Sequence, residues 1–378
     1  MKPLFNSRLI TDNYLDPSFQ NVLFPYRFLQ HLLFLSRFSI KYNCIRYHVN
    51  AYYLFSFFGS LCLFLYMYLT ITTLSVDRTP SLNFFPWLNA LVLFFPFFLF
   101  YCINIIHKKE HVDIILKIQK SFRIVTFKDY KICVMWNCFG VFSHFFWIIL
   151  SLMLLQEVRI ALTFYVMIFL DVNTTYGISL IFLIRNGMVA WISEVEYQCG
   201  ICLELEEGQR CEVFKRLFVA YQDLMQAYAI YKKLFKIPIL FQAIYTFLLS
   251  LLYIQMIIEL IQLKVTHLGQ FDLDVYKIIT IVWLLKNISY VMLFSRGCEK
   301  FYISVTDANV ACFKLLKHVQ NIAKQFCKNI LRCHRATFHK MTACKIFTVD
   351  ADLAHGYTSV QVEYVIVLLQ FALTRFNY

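Results

Sequence analysis

Long apolar runs separated by polar stretches dominate the pattern of this chain. Seven runs come close to the roughly 20 residues that an α-helix needs to cross a bilayer. They cover residues 51–74, 84–106, 134–155, 161–184, 237–263, 278–294 and 347–374. The pattern predicts an all-α, polytopic membrane protein with seven transmembrane helices.

The seventh run is longer than a simple span and contains a polar patch at Asp352, His355 and Gly356. We therefore expect the seventh span to be broken into two pieces: a half-helix that ends near His355 and a terminal helix beyond the break. Broken spans line water-filled cavities, because irregular backbone can be hydrogen-bonded there.

A mostly polar line follows one face of the terminal helix. Glu363, Val367, Gln370 and Thr374 recur at spacings of four, three and four residues, which places them on one side of an α-helix. They either hydrogen-bond to neighbouring helices or form a wall that faces water. If several copies of the helix surrounded an axis, Glu363 would form an acidic ring and Val367 an apolar one. Acidic rings favour cations, and apolar constrictions gate by dewetting.

Composition agrees with a membrane protein. Of the 378 residues, 60% are hydrophobic and 16% are charged, and the mean hydropathy is +0.59. A soluble fold of this size cannot bury so much apolar surface. The net charge of +13 is typical of basic cytoplasmic loops, so no nucleic-acid partner is expected. Residues 1–20 lack the pattern of a cleaved signal peptide.

Basic residues are distributed unevenly between the two sets of loops. Residues 1–50, 107–132, 185–236 and 295–345 contain 30 of the 36 Lys and Arg residues. Because cytoplasmic loops carry the excess, the N-terminus is predicted to be cytoplasmic and the C-terminus extracellular. This orientation is the reverse of that of a G-protein-coupled receptor.

The same pattern divides the chain into four regions. Residues 1–50 form a cytoplasmic segment with an amphipathic helix near 24–38, residues 51–294 hold the first six spans with helical cytoplasmic loops, residues 295–345 form a cytoplasmic helical anchor, and residues 346–378 form the seventh span. A heptad-like seam in the anchor predicts packing within the chain or an inter-subunit bundle. Its positions are Cys312, Leu316, Val319, Ala323, Phe326 and Ile330.

Motifs for catalysis or cofactor binding are lacking in the sequence. It contains no glycine-rich phosphate loop, no G-x-S-x-G and no paired-carboxylate site, so we expect neither an enzyme nor a cofactor. Cys199 and Cys202 have redox spacing but no second pair, and structural thiols are expected. Four further candidate ligands match no common zinc-finger spacing, so no metal site is expected. They are Cys333, His334, His339 and Cys344.

Ionisable residues inside spans are costly unless they are paired or hydrated. Asp171 in the fourth span and Lys286 in the sixth carry opposite charges and are predicted to pair. Both a structural ion pair and a role in a ligand cavity remain open. His144 is expected to be a hydrogen-bonded core histidine.

The last helix resembles a signature of the insect gustatory receptors, within the insect chemoreceptor superfamily. That signature reads Thr-Tyr, five hydrophobic residues, then Gln-Phe. Here Tyr364, residues 365–369, Gln370 and Phe371 match, and Glu363 replaces the usual threonine. The resemblance covers the C-terminal segment in sequence pattern and the whole chain in architecture.

This resemblance implies a ligand-gated, non-selective cation channel assembled as a homo- or hetero-tetramer. The family's pore glutamine corresponds to Gln370 and its hydrophobic gate position to Val367, with Glu363, Tyr364 and Phe371 beside them. The exchange of threonine for Glu363 makes the conductance of this subunit harder to infer. The later cytoplasmic segments would form the inter-subunit anchor.

The resemblance also implies a pocket for a small tastant among spans two to six, open to the outside. Bitter or other aversive compounds are favoured over sugars, because the sugar and carbon dioxide branches of the family are smaller. The expected location is the plasma membrane of sensory neuron dendrites. The candidate pocket residues are Trp87, Trp147, Tyr165, Asp171, Trp283 and Lys286.

Two other classes remain as alternatives. The first is an odorant-type receptor of the same superfamily, which would need a separate co-receptor. The second is a G-protein-coupled receptor, which the charge distribution disfavours, as does the lack of Asp-Arg-Tyr after the third span.

Overall fold

The computed structural model describes residues 13–74, 94–95, 98–155, 158–201, 207–262, 270–318 and 321–376. Helices dominate this part of the chain, and two short antiparallel hairpins are the other elements, so the predicted all-α class is confirmed. The helices are α1 (Pro17–Leu32), α2 (Asn50–Leu74), α3 (98–106), α4 (Lys108–Ile124), α5 (Tyr130–Leu155), α6 (Val158–Ile201), α7 (Glu207–Gln262), α8 (Gln270–His318), α9 (Asn321–Thr337) and α10 (Ala351–Phe376). The hairpins are β1–β2 (Ser39–Lys41, Cys44–Arg46) and β3–β4 (Thr342–Ala343, Phe347–Thr348).

Three very long helices form the centre of the molecule. Helices α6, α7 and α8 contain 44, 56 and 49 residues, and at 1.5 Å per residue each is at least twice as long as the roughly 30 Å hydrocarbon core of a bilayer. They pack against one another, and Trp191, Tyr221 and Tyr231 are fully buried between them. The long loops predicted between spans are therefore largely continuations of these helices.

Four described helices are long and apolar enough to cross a membrane. The qualifying stretches, Asn50–Thr70, Tyr130–Leu150, Asp171–Gln198 and Glu207–Gln255, overlap the first, third, fourth and fifth predicted spans. The second predicted span lies largely outside the described residues, and the last two fall on α8 and α10. These helices make the chain a multi-pass membrane protein, while the count of seven and the orientation stay predictions.

Helix α1 packs against α5, and the loop that follows it reaches α6. Helix α1 ends at Leu32, earlier than the pattern indicated, and the following loop carries Arg37 into the interior. The guanidinium donates a 2.5 Å hydrogen bond to Asn173 of α6 and lies 4.3 Å from the ring centroid of Tyr176. Burial lowers the pKa of Arg37 to about 10, so it remains charged at neutral pH.

The predicted break in the seventh span is wrong. Helix α10 runs without interruption from Ala351 to Phe376, through His355 and Gly356. A glycine inside a helix costs only about 1 kcal/mol relative to alanine, which does not suffice to end a helix held by its other residues. The predicted half-helix also began too early, because Phe347 and Thr348 belong to β4.

The heptad-like seam is divided between α8 and α9. Cys312 lies on α8, whereas Ala323, Phe326 and Ile330 lie on α9, and all four side chains are buried within this chain. The ring of Phe326 is 5.0 Å from that of Phe214 on α7. Packing inside one chain therefore accounts for these seam positions.

Close helix packing at Gly177 predicts a stability difference between two glycines. A Cβ at Gly177 would lie 2.8 Å from the ring of Phe235 and 3.1 Å from that of Phe294, whereas a Cβ at Gly356 meets no atom within 4 Å. We expect Gly177→Ala to destabilise the fold by about 1–3 kcal/mol. Gly356→Ala should stabilise it by about 0.5–1 kcal/mol, since α10 is continuous.

Thermal unfolding of the detergent-solubilised variants measures both effects. A loss of stability in Gly356→Ala would contradict the continuous helix.

Candidate functional site

Helix α10 contacts its own bundle along one narrow face. Gln361 is buried and its amide donates a hydrogen bond to Ser250 of α7. One turn earlier, the hydroxyl of Tyr357 donates to the carbonyl of Ala243 at 3.4 Å. One turn later, Tyr364 meets the edge of Phe247, with ring centroids 5.3 Å apart. These contacts define the inward face of α10, with Tyr364 on its flank.

The polar line lies on the opposite, outward face. At about 100° per residue, Glu363 and Gln370 are rotated by roughly 160–200° from Gln361. Glu363, Val367, Gln370 and Thr374 are all exposed, and Val367 is 43% exposed. No element of the described chain covers this face.

Three further residues extend the outward face toward the start of α10. Asp352, Gly356 and Ser359 precede Glu363 at spacings of four, three and four residues, and all are exposed. The outward face therefore carries two carboxylates about 16 Å apart along the axis. The same helical periodicity could have revealed these residues from the sequence, but the expected break at Gly356 hid it.

The two aromatic residues expected beside the pore occupy a different side of α10. Tyr364 is half exposed and contacts Phe247 of the same chain. Phe371 is 67% exposed and follows Tyr364 by seven residues, so both lie on the flank nearer the bundle. The predicted pore set thus divides into an outward group and a flanking pair.

Inside the bundle, Asp171 and Lys286 form the predicted ion pair. The ammonium nitrogen of Lys286 lies 2.5 Å from a carboxylate oxygen of Asp171 and 3.1 Å from the ring centroid of Trp283. All three side chains are buried. Charge pairing and the aromatic face together offset the cost of removing the charges from water, and this closed arrangement favours the structural interpretation of the pair.

Polar and aromatic groups continue around this pair. The Nε2 atom of His144 lies 3.3 Å from the hydroxyl of Thr175, and this hydroxyl donates to the carbonyl of Asp171 at 2.9 Å. His144 is buried, as the sequence predicted. The remaining candidates cannot be placed with it: Trp87 and the side chains of Trp147 and Tyr165 lie outside the described residues.

A mostly apolar cavity lies beyond the ion pair, where Pro238 interrupts the hydrogen bonding of α7. Its walls come from α6, α7 and α8, and its remaining wall is formed by Val349 and Leu353 at the entrance to α10. None of the candidate pocket residues from the sequence lines it. Among the described residues, no three His, Cys, Asp or Glu side chains approach closely enough to hold a metal ion.

The long helices are those of a multi-pass helical membrane protein. The chain is similar in structure to the insect olfactory receptor OR5 from Machilis hrabei in complex with eugenol, with a TM-score of 0.59, 12% identity, and coverage of 93% of this chain and 97% of that one. A second structure of that receptor gives a TM-score of 0.59, 11% identity and the same coverage.

These matches show that the chain has the fold of a solved insect olfactory receptor, which is the fold that the resemblance in the sequence implies. Both matches are receptors rather than enzymes. No protein-family model matches the sequence, and the curated proteins contain no significant sequence match.

The buried ion pair predicts strongly non-additive effects of mutation. Lys286→Met leaves the Asp171 carboxylate buried and unpaired, which we expect to destabilise the fold by about 3–5 kcal/mol. Adding Asp171→Asn removes the orphan charge, so the double variant should recover most of that stability. Thermal unfolding of both single variants and the double variant completes the cycle.

Equal instability of the Lys286→Met single variant and the double variant would contradict a structural pair. A double variant that folds normally but loses every ligand response would instead support a role in the ligand cavity.

Proposed function

We propose that this chain is a subunit of a ligand-gated cation channel of the insect chemoreceptor superfamily, and that α10 lines a pore shared by several copies. The observation that carries the proposal is the polar outward face of α10. The helix rests on its own bundle through the opposite face, so the outward face needs another environment.

Lipid is a poor environment for that face. An ionised carboxylate near the middle of a bilayer costs about 2.5–3.5 kcal/mol or more, and Glu363 shares the face with Gln370, Ser359 and Thr374. A water-filled space between copies would hydrate all four. In a ring of subunits, Val367 would be the apolar constriction, and the carboxylates of Asp352 and Glu363, which both precede it on the helix, would favour cations.

The sequence signature supports a gustatory type within the superfamily. Tyr364, Gln370 and Phe371 match it, and four copies per channel follow from that resemblance. An odorant-type receptor is the second candidate, and the fold shared with an olfactory receptor supports it equally well. Ligand-evoked currents from cells that express this chain alone, or together with an odorant co-receptor, distinguish the two, because only the odorant type needs that partner.

The ligand we propose is a small organic molecule. The similar receptor OR5 was solved in complex with eugenol, and the bundle here is rich in buried aromatic side chains. A bitter or otherwise aversive compound remains favoured over a sugar, at the plasma membrane of sensory neuron dendrites.

Paired cysteine substitutions test the shared pore without any ligand. Val367 lies on the outward face and Val365, only two residues away, is turned toward the bundle and is less exposed. Oxidation should cross-link Val367→Cys between copies. At a narrow ring, the Cα atoms of neighbouring copies would come within the roughly 4.4–6.8 Å that a disulfide spans. Val365→Cys should give no more cross-linking than the unmodified chain.

Non-reducing gels of oxidised membranes compare the three proteins. Equal cross-linking at both positions would argue against a pore lined by the outward face.

The charge of Glu363 predicts ion selectivity. Glu363→Gln removes one carboxylate per subunit from the proposed pore and should lower the permeability of cations relative to chloride. Reversal potentials in asymmetric salt measure that ratio. Asp113→Asn, an exposed carboxylate on α4, is the matched control, and an unchanged ratio in Glu363→Gln would mean that this side chain faces away from the ion path.

A further inference from the structure

A short hairpin precedes α10, and the hydroxyl of one tyrosine hydrogen-bonds to both of its ends. Strands β3 and β4 pair Thr342 with Thr348 and Ala343 with Phe347. Cys344 and Lys345 adopt φ values of 50° and 67° at the turn, as in a type I′ turn, which matches the twist of the flanking strands. The hairpin connects α9 directly to α10, so its position sets where α10 begins.

Tyr302 of α8 bridges the two open ends of this hairpin. Its hydroxyl accepts a hydrogen bond from the backbone N–H of Met341 at 3.0 Å and donates one to the carbonyl of Val349 at 3.0 Å. The N–H of Val349 in turn donates to the carbonyl of Met341 at 2.9 Å. All three residues are buried, so water cannot replace these bonds when they break.

An ion cluster reinforces the same junction from outside. The ammonium of Lys340 lies 3.3 Å from a carboxylate oxygen of Asp350 and 3.6 Å from one of Glu299 on α8. Partial burial opposes the charge of Lys340, but the hydrogen bond that it donates to Asp350 and the charge of Glu299 outweigh it and raise the pKa of the lysine. Lys340 and Asp350 thus join the two ends of the hairpin to α8.

The three hydrogen bonds among Tyr302, Met341 and Val349, which we call the clamp, also lie between the bundle cavity and α10. Val349, whose carbonyl Tyr302 holds, lines the cavity together with Leu353 in the first turn of α10. Beyond this point, Tyr357, Gln361 and Tyr364 hold α10 against α7, and α10 also packs against α8. A movement of α8 or of the cavity wall therefore reaches α10 through the hairpin as well as through this direct packing.

We propose that Tyr302 is a positioning residue for gating: its hydroxyl fixes the hairpin that sets the start of α10, and so couples α8 to the pore. The inference rests on the proposed channel function, and it adds a specific hydroxyl and two backbone partners to it. Glu299, Lys340 and Asp350 support the same junction.

Tyr302→Phe tests the clamp by removing only the oxygen atom. Hydrogen exchange of the purified full chain in lipid nanodiscs should show the Met341 amide exchanging about tenfold faster than in the wild type. Single-channel recording should show the ligand-independent open probability changed about fivefold or more, with the unitary conductance unchanged. A merely structural defect would lower the number of channels and leave the open probability of each one as it was.

Tyr101→Phe is the matched control. Tyr101 is also buried, and its hydroxyl donates a hydrogen bond to the carbonyl of Tyr53 on α2. It should alter neither the exchange of Met341 nor the open probability. Lys340→Met, at an exposed position, should shift the open probability in the same direction as Tyr302→Phe by a smaller factor. It is the variant to measure if Tyr302→Phe does not fold.

The outcomes separate this inference from the channel itself. Wild-type exchange in Tyr302→Phe overturns the clamp whatever the currents show. Faster exchange with an unchanged open probability overturns the gating role. A wild-type chain that opens no pore refutes the proposed function, and exchange at Met341 still decides whether Tyr302 holds the hairpin.

Discussion

Satisfying polar groups in an apolar environment is the constraint on which this structure depends. The bundle meets it internally: Lys286 is placed between Asp171 and the face of Trp283, and Arg37 between Asn173 and the ring of Tyr176. Helix α10 meets it only in part, because Gln361 finds Ser250 while Glu363 and Gln370 face outward. In the proposed channel, other copies of the chain would provide the environment for that outward face.

The long helices explain how the start of α10 is held in place, because α10 packs against both α7 and α8. Helices α7 and α8 continue far beyond the length of a span and reach the hairpin before α10. There, Tyr228 and Lys232 of α7 donate hydrogen bonds to the carbonyl of His339, each at 3.2 Å, and Tyr302 of α8 closes the strands. The start of α10 is thus firmly anchored, whereas its length remains available to other copies.

A firmly held start and an exposed outward face of α10 are the arrangement that the proposed gated pore requires. In the proposed channel, the bundle would change shape around a small ligand, and α10 would follow through its packing on α7 and α8 and through the hairpin that precedes it. Close packing makes such a junction respond as a unit, because packed interiors transmit strain rather than absorb it. The chain shares this fold with an insect olfactory receptor.

The sequence by itself determined the helical class, the membrane environment and the polar line from Glu363 to Thr374, and it indicated that Asp171 and Lys286 each need a partner. Each of these follows from local periodicity or from the cost of an isolated charge in lipid, which do not depend on how distant segments meet. Only the tertiary structure decided that α10 is continuous through Gly356, since the cost of a glycine in a helix is small and its neighbours decide the outcome. It alone placed Arg37 against α6, joined Tyr302 to Met341 and Val349, and showed that the polar line is turned away from its own bundle. Those facts depend on contacts between residues far apart in the chain, and no local pattern records them.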